Sequence, residues 1–371
     1  MKKVLYFNNI YPLYRKPIWE LLLNEDRYNF NIYYSKQDLK GIKSFNPSSE
    51  YVNIRKISHL KNYFFGETLI WQTKVVKNLI FKNFQVAIFM GDMSVISTWI
   101  GSLICKLRNK KVYFWGHGLY GNESSLKKFI RVLFLRLADR NILYENRAKN
   151  LLIKSGFDNK TLDVIYNSLD YDNQLELFKR LEKKKNSNQL FKKKIPIIVF
   201  IGRLTKNKKI DILIKSVEII NKNNPRVNLL LIGDGPQKKN LQVLSNKILN
   251  KSNFIFYGGL YDEKKIAELL YESSICISPG NIGLTAIHSL SYGTPVASHD
   301  NLNFQMPEAE SIIDGENGFL FKQNDIIDLS NKILFWIENK KPNKKNTRKI
   351  IDEKYNPYFQ KKIIDKIILN G

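Results

Sequence analysis

The sequence predicts an α/β chain of two doubly wound, Rossmann-like domains, each a parallel sheet covered by helices on both faces. Three observations carry that expectation. Short apolar runs bounded by turn residues alternate with stretches of helical period, the pattern left by parallel strands joined through crossover helices. The pattern breaks once, over 181–194, a Lys-, Asn- and Ser-rich stretch containing Lys183-Lys184-Lys185, and then restarts. Finally, 371 residues exceed the size at which one hydrophobic core usually stops growing. The expected domains are 1–180 and 195–345, with a C-terminal helix near 351–371 packing back on the first. Ligands of such sheets bind beyond the carboxyl ends of the strands, so the expected site is the cleft between two domains that face one another.

In the first half, strand candidates fall at 3–7, 30–34, 86–90, 111–115, 141–144 and 162–165, with helices between them. In the second half they fall at 197–201, 228–232, 254–257, 275–278 and 295–298. Helices are expected there at 210–223, 237–247, 262–272, 283–292 and 326–338. No repeat of fixed period is present, which argues against a solenoid.

Composition narrows the function classes. With 43% hydrophobic and 25% charged residues, no apolar run approaches the roughly 18 residues of a membrane span. Met1-Lys2-Lys3 leads at once into Val4–Phe7 and then polar Asn8-Asn9, too short for the apolar region of a secretory signal, so a cytoplasmic chain is expected. Cys105 and Cys276 each sit in an apolar segment and read as reduced core thiols. Four histidines and these two cysteines offer no zinc spacing, and no Gly-x-Ser-x-Gly elbow is present. Sixty Lys+Arg against 34 Asp+Glu, a net +26, point to anionic partners with phosphate as the common factor. Nucleic acid, an anionic lipid surface and diphosphate-linked substrates all fit, as does the habit of a Lys/Asn/Ile-rich proteome.

The informative motifs lie in the second half. A strand ends in Ile201-Gly202-Arg203-Leu204 and is followed by Thr205-Lys206-Asn207-Lys208-Lys209. Arg203 can grip phosphate oxygens in a fork and Lys208 can add a compact charge, or the loop is simply solvated and basic. The next strand ends in Gly233-Asp234-Gly235-Pro236, where glycines let a ligand approach the backbone and Pro236 suits a first helical turn. This is neither the dinucleotide fingerprint nor a Walker loop. A third strand breaks at Ser278-Pro279-Gly280-Asn281-Ile282-Gly283, and the helix that follows stops at Gly293 before Thr294-Pro295-Val296. Its first N–H groups, near Gly283, Leu284 and Thr285, are unsatisfied donors and so a ready anion site.

The order of these segments resembles the retaining glycosyltransferases of family 4, which have the GT-B fold, over nearly the whole chain. The resemblance implies that Arg203 and Lys208 bind a donor diphosphate, that Gly202, Gly233 and Gly235 border the nucleoside, and that Gly280–Thr285 receive phosphate and sugar. It implies no cofactor and no metal, because the nucleotide-sugar is a co-substrate. It also implies a UDP- or GDP-sugar donor and a saccharide or polyprenyl-diphosphate-linked acceptor of bacterial surface polysaccharide, O-antigen or capsule. One departure stands out. The family carries two glutamates eight positions apart, one near the donor sugar and one on the ribose, where this chain has Gly280 and His288. His288 can still reach a ribose hydroxyl through a ring nitrogen. Glu308 and Glu310 follow the next strand and either supply a carboxylate to the same cleft or form an exposed acidic turn.

In the first half, Tyr113-Phe114-Trp115-Gly116-His117-Gly118 ends a strand in a histidine between glycines, and family members carry a histidine that contacts the donor sugar at a similar place. Tyr14 and Arg15, after the first strand, match the family's first loop and suit a phosphate-linked acceptor. Asp92 either orients an acceptor hydroxyl or caps the helix at Ser94. Asp170-Tyr171-Asp172 reads as a turn and helix cap rather than a metal motif. Over 124–140, Ile130, Leu133, Phe134 and Leu137 form an apolar stripe beside Lys127, Lys128 and Arg131. The stripe suits either an anionic leaflet or the domain's own sheet, with Phe129, Val132 and Leu135 favouring burial. The expected function is therefore metal-free sugar transfer from a nucleotide-sugar by a cytoplasmic enzyme, either free or resting on the inner face of the membrane. A sugar-nucleotide epimerase, a basic nucleic-acid-binding protein and a catalytically silent scaffold are the alternatives. A nucleic-acid binder would leave the glycine turns unexplained and should show a basic stripe or reading motif.

Overall fold

A computed structural model describes residues 1–37, 44, 54–184 and 190–371. Residues 185–189 of the expected linker lie outside the described residues. The chain forms two compact units, Met1–Asp170 together with Asn356–Gly371, and Tyr171–Tyr355.

The first unit contains β1 (Lys2–Phe7), β2 (Tyr28–Ser35), β3 (Ile57–Leu60), the hairpin β4 (Asn62–Phe65) and β5 (Leu69–Gln72), β6 (Val86–Met90), β7 (Lys111–Gly116), β8 (Arg140–Leu143) and β9 (Leu162–Val164). Seven of these strands make a sheet of order β3-β2-β1-β6-β7-β8-β9, and every pair in it is parallel. Side chains of a strand alternate between faces, and here both faces are covered. Val4 and Tyr6 point to one core with Ile18, Trp19 and Leu22 of α1 (Lys16–Leu23). Leu5 and Phe7 point to the other, under α2 (Val75–Phe81), α3 (Ile96–Leu107), α4 (Ser125–Leu135) and α5 (Asn146–Ile153). The chain passes through the second unit before its last helix closes the first core beside α1.

The second unit holds β10 (Ile197–Ile201), β11 (Asn228–Ile232), β12 (Phe254–Gly258), β13 (Ile275–Ser278), β14 (Val296–His299) and β15 (Gly318–Phe321), in the order β12-β11-β10-β13-β14-β15. Its helices are α6 (Tyr171–Lys183), α7 (Ile210–Asn221), α8 (Lys238–Ile248), α9 (Glu263–Glu272), α10 (Thr285–Ser291), α11 (Ile326–Asn339) and α12 (Lys344–Glu353). The final helix, α13 (Pro357–Asn370), puts Ile364, Ile367 and Ile368 into the first unit's core. The strands β3, β4, β5 and β15, each four residues long, are not among the strands expected from the sequence.

Both sheets reverse direction of growth at their first strand, β1 and β10. A crevice opens where the connections from neighbouring strands leave to opposite sides, so ligands of open α/β sheets bind there. The two points carry Asn8 to Arg15 in one unit and Gly202 to Lys209 in the other.

Among the described residues no helix is long and apolar enough to cross a membrane. Helix α4 touches its sheet mainly through Phe134 and Leu135, which are buried. Of the expected stripe, Phe134 and Leu137 pack on the core, while Ile130 and Leu133 are exposed. Phe129, expected to favour burial, is 60% exposed and Leu126 is 70% exposed, both on the N-terminal two turns of the helix. Arg131 faces inward, pairing with Glu123 at 3.5 Å and stacking on Tyr120, whereas Lys127 and Lys128 are exposed and make no ion pair among the described residues.

Candidate active site

Three loops at the carboxyl ends of β10, β11 and β13 are laced together. Leu204 N–H donates to the Asp234 carbonyl at 2.9 Å and Gln237 N–H to the Leu204 carbonyl at 2.9 Å. On the other side Gly280 N–H donates to the Lys208 carbonyl at 3.0 Å, and Lys208 Nζ donates to the carbonyl and Oδ1 of Asn281 at 2.7 and 3.0 Å.

The glycines follow from this lacing. A Cβ at Gly233 would stand 1.9 Å from the Gly202 carbonyl oxygen, and one at Gly235 would stand 2.6 Å from that of Leu204. One at Gly280 would stand 2.0 Å from that of Asn207. Gly202, Gly233 and Gly235 also have φ of +146°, +150° and +154°, where side chains are strained. The sequence reading assigned Gly233 and Gly235 to ligand approach. The structure corrects this: the space a side chain would need is filled by the neighbouring loop.

Around the lacing stand the cations. Arg203 is exposed and its guanidinium makes no hydrogen bond or ion pair among the described residues. Lys208 is half-buried; burial lowers its pKa, while the nearby Glu308 carboxylate favours its charge. No acceptor among the described residues takes the N–H groups of Gly283, Leu284 or Thr285. Ile282 is different: its side chain is buried and its N–H donates to Gln305 Oε1 at 2.8 Å, so its place in the donor site is corrected to that of an anchor. Gln305, which the sequence reading missed, also donates to Ser298 Oγ at 2.8 Å and so ties Ile282 to β14. Thr285 Oγ1 donates to the Ile201 carbonyl at 3.2 Å, tying the start of α10 to β10.

Glu308 is 3% exposed, which removes the reading of it as an exposed acidic turn. A Cβ at Gly283 would lie 3.8 Å from Glu308 Oε2, so the carboxylate sits against the opening of α10. Glu310 is half-buried in the same turn. Among the described residues no three His, Cys, Asp or Glu groups cluster as a metal site requires.

In the first unit, the ends of β1, β6, β7 and β8 bring Arg15, Asp92, His117 and Tyr144 together. Arg15 is 9% exposed, yet no carboxylate pairs with it among the described residues. It donates to Tyr6 Oη at 3.4 Å and to Tyr144 Oη, and its charge lies over the rings of Tyr14, Trp115 and Tyr144 at 5.7, 5.5 and 5.3 Å. A buried cation without a counter-charge is an electrostatic vacancy for an anion. His117 packs edge-on to Tyr144 at 5.0 Å, and its Nδ1 is buried without a partner. Burial, helped by Arg15 and Arg131 and opposed by Asp92, pushes its pKa down to about 4, so near neutral pH the ring is an uncharged hydrogen-bonding group. Its flanking glycines serve the fold, Gly116 meeting Gly91 and Gly118 meeting Leu143. Asp92 Oδ1 accepts from Ser94 N–H and Oγ at 3.0 and 2.7 Å and so closes a local turn, whereas α3 begins at Ile96 behind Val95 with no side-chain cap, so Asp92 is not the helix cap foreseen.

Residues 181–354, nearly all of the second unit, match the family model described as glycosyl transferases group 1. An uncharacterized glycosyltransferase of Methanocaldococcus jannaschii is 26% identical over 280 residues, 70% of this chain and 69% of that one. The chain is a glycosyltransferase. An uncharacterized protein in the cps region of Klebsiella pneumoniae is 30% identical over 51% of this chain and 50% of its own. In fold, the glycosyltransferase superposes on the apo lipopolysaccharide outer core galactosyltransferase WaaB with a TM-score of 0.70, 16% identity and full coverage of both chains. It superposes on Anabaena HepE in complex with UDP with 0.69, 16% and 99% of each. These likenesses agree with the paired Rossmann-like units of a GT-B enzyme.

The glycosyltransferase also shows what stands at the second departure. His288 Nε2 is engaged by Glu263 Oε1 at 2.9 Å, so only Nδ1 is left for the ribose contact expected of this ring. Burial would raise the Glu263 pKa, but bonds from His288, Tyr292 and Gln174 pull it down to about 2.

Proposed function

We propose that this enzyme is a retaining, metal-independent family 4 transferase. It moves a hexosyl group from a UDP- or GDP-sugar to a saccharide or polyprenyl-diphosphate-linked acceptor in bacterial surface-polysaccharide assembly. The observation that carries the reading is the donor face of the second unit. Two cations, Arg203 and Lys208, and the open N–H groups of Gly283, Leu284 and Thr285 stand on loops that backbone bonds hold rigid. As the anomeric C–O bond breaks, its electron pair goes to the departing diphosphate, and these groups stabilise the charge in place of a metal. The acceptor hydroxyl bonds to the anomeric carbon on the same face, and its proton passes to an oxygen of the leaving phosphate. No side chain is then needed as general base, which agrees with His117, whose pKa of about 4 makes it a weak base. Glu308, beside Gly283, is placed for the hydroxyls of the donor sugar. The caged Arg15 is placed for an acceptor phosphate.

The names of similar proteins support this setting: one lies in a cps region, WaaB acts on the lipopolysaccharide outer core, and HepE has been captured with UDP. A thermal-shift screen against UDP-, GDP-, ADP- and CMP-sugars is expected to raise the melting temperature with UDP- or GDP-sugars alone. Release of nucleoside diphosphate is then expected only with acceptor present. Turnover of donor without acceptor would mark an epimerase, and no release under any condition would mark a silent scaffold.

On this reading the enzyme attaches to the cytoplasmic leaflet through α4. Leu126, Phe129, Ile130 and Leu133 are exposed beside Lys127 and Lys128, and each cation near an anionic surface contributes about 1 kcal/mol. Sedimentation with liposomes is expected to rise with anionic lipid content and to fall in the Lys127→Glu, Lys128→Glu variant. Binding indifferent to both leaves α4 as scaffold.

A further inference from the structure

One carboxylate of the second unit is held in a manner its fold does not require. Glu263 opens α9, directly after the loop that leaves β12, and so stands at the same edge of the sheet as the donor loops. That loop touches the Gly233–Pro236 turn: a Cβ at Gly259 would lie 3.9 Å from Asp234 Cβ. Three donors from two other helices and the cap of one of them converge on a single oxygen of Glu263. Gln174 Nε2 of α6 reaches Oε1 at 3.1 Å, and His288 Nε2 of α10 and Oη of Tyr292, which caps α10, reach it at 2.9 and 2.5 Å. Gln174 and Tyr292 are buried, so the grip is rigid. The other oxygen, Oε2, makes no hydrogen bond among the described residues and is not among the buried unpartnered atoms.

A carboxylate fixed through one oxygen presents the other as a directed, charged acceptor, and two neighbouring hydroxyls are its natural complement. Its position along α10 selects which hydroxyls. His288 lies one helical turn, about 5 Å, beyond the open N–H groups at Gly283–Thr285 that suit the diphosphate. Glu308 adjoins Gly283 itself, where the transferred sugar begins. The group one turn from the diphosphate and away from Glu308 is the nucleoside.

Resting on the donor reading given above, we propose that Glu263 Oε2 accepts the vicinal hydroxyls of the donor ribose, with Gln174, His288 and Tyr292 as positioning residues. The chain thus takes from α9 a carboxylate that α10 lacks.

The test is calorimetric titration of the full chain with UDP, GDP and ADP, each beside its 2′-deoxy counterpart. For the ribonucleotide bound most tightly, wild type is expected to favour ribose over deoxyribose by about tenfold, the scale of one charged hydrogen bond. Glu263→Ala is expected to bring that ratio close to one, while losing affinity mainly for the ribonucleotide. A loosened scaffold would weaken both forms alike and keep the ratio, which would overturn the proposal. Should the alanine variant not fold, Glu263→Gln, of the same shape, is expected to reduce the ratio, and an unchanged ratio there overturns the proposal equally. Absence of binding to any ribonucleotide by wild type would instead overturn the donor reading itself, and this subsite with it.

Discussion

Alanine at both Arg203 and Lys208 is expected to lower kcat by about a hundredfold or more, the scale seen when a preorganised charge-stabilising donor is lost. The two positions separate charge from architecture. Arg203 is exposed and makes no hydrogen bond or ion pair among the described residues, so Arg203→Ala removes chiefly a cation and should leave the melting temperature nearly where it was. Lys208 also holds Asn281 by two hydrogen bonds, so Lys208→Ala should cost stability as well as turnover. Steady-state kinetics beside a melting curve checks both. A double variant with unaltered kcat would remove the diphosphate clamp from the mechanism.

Placing at position 280, by Gly280→Glu, the first glutamate of the family 4 enzymes that the chain resembles is expected to damage the enzyme. The new Cβ would stand 2.0 Å from the Asn207 carbonyl oxygen and 2.7 Å from Lys208 Cα, and both are backbone atoms that cannot turn aside. Parting the two loops costs about 3 kcal/mol, at the upper end for an overpacked site. In a unit of this size that lowers the melting temperature by about 6–12 °C. It also moves Lys208 from Asn281, so turnover should fall with stability. A variant that melts like wild type and turns over faster would show that the loops can separate, and that glycine at 280 answers to something other than the 207–208 backbone. Within the present structure the departure at Gly280 and the tight lacing of loops 206–209 and 279–281 are one feature: the carboxylate is absent because backbone occupies its root.

The donor loops were legible in the sequence because their chemistry is local. A strand end, a glycine turn and a cation within eight residues define Gly202–Lys208, and a Pro-Gly break before a short helix defines Gly280–Thr285. What the loops did with their glycines was not legible. Ligand approach and loop-on-loop contact place the same demand on the residue type, and only the neighbouring backbone tells them apart. The same ambiguity hid the fate of α4. Its composition has apolar residues on every side, and which of them are buried is set by the packing of the helix on its neighbours.

By itself the sequence determined the two parallel-sheet units, through apolar runs set against helical periods, and the identity of the cations at the carboxyl edge of the second. Tertiary structure alone decided which charges have partners. Arg15 is caged by Tyr6, Tyr14, Trp115 and Tyr144, most of them delivered by separate strands, and Glu263 meets His288 from 25 residues away. Propensity and periodicity act over a few residues along the chain, whereas hydrogen bonds and ion pairs act over a few ångströms in space. Only the packing of one element on another converts the first scale into the second.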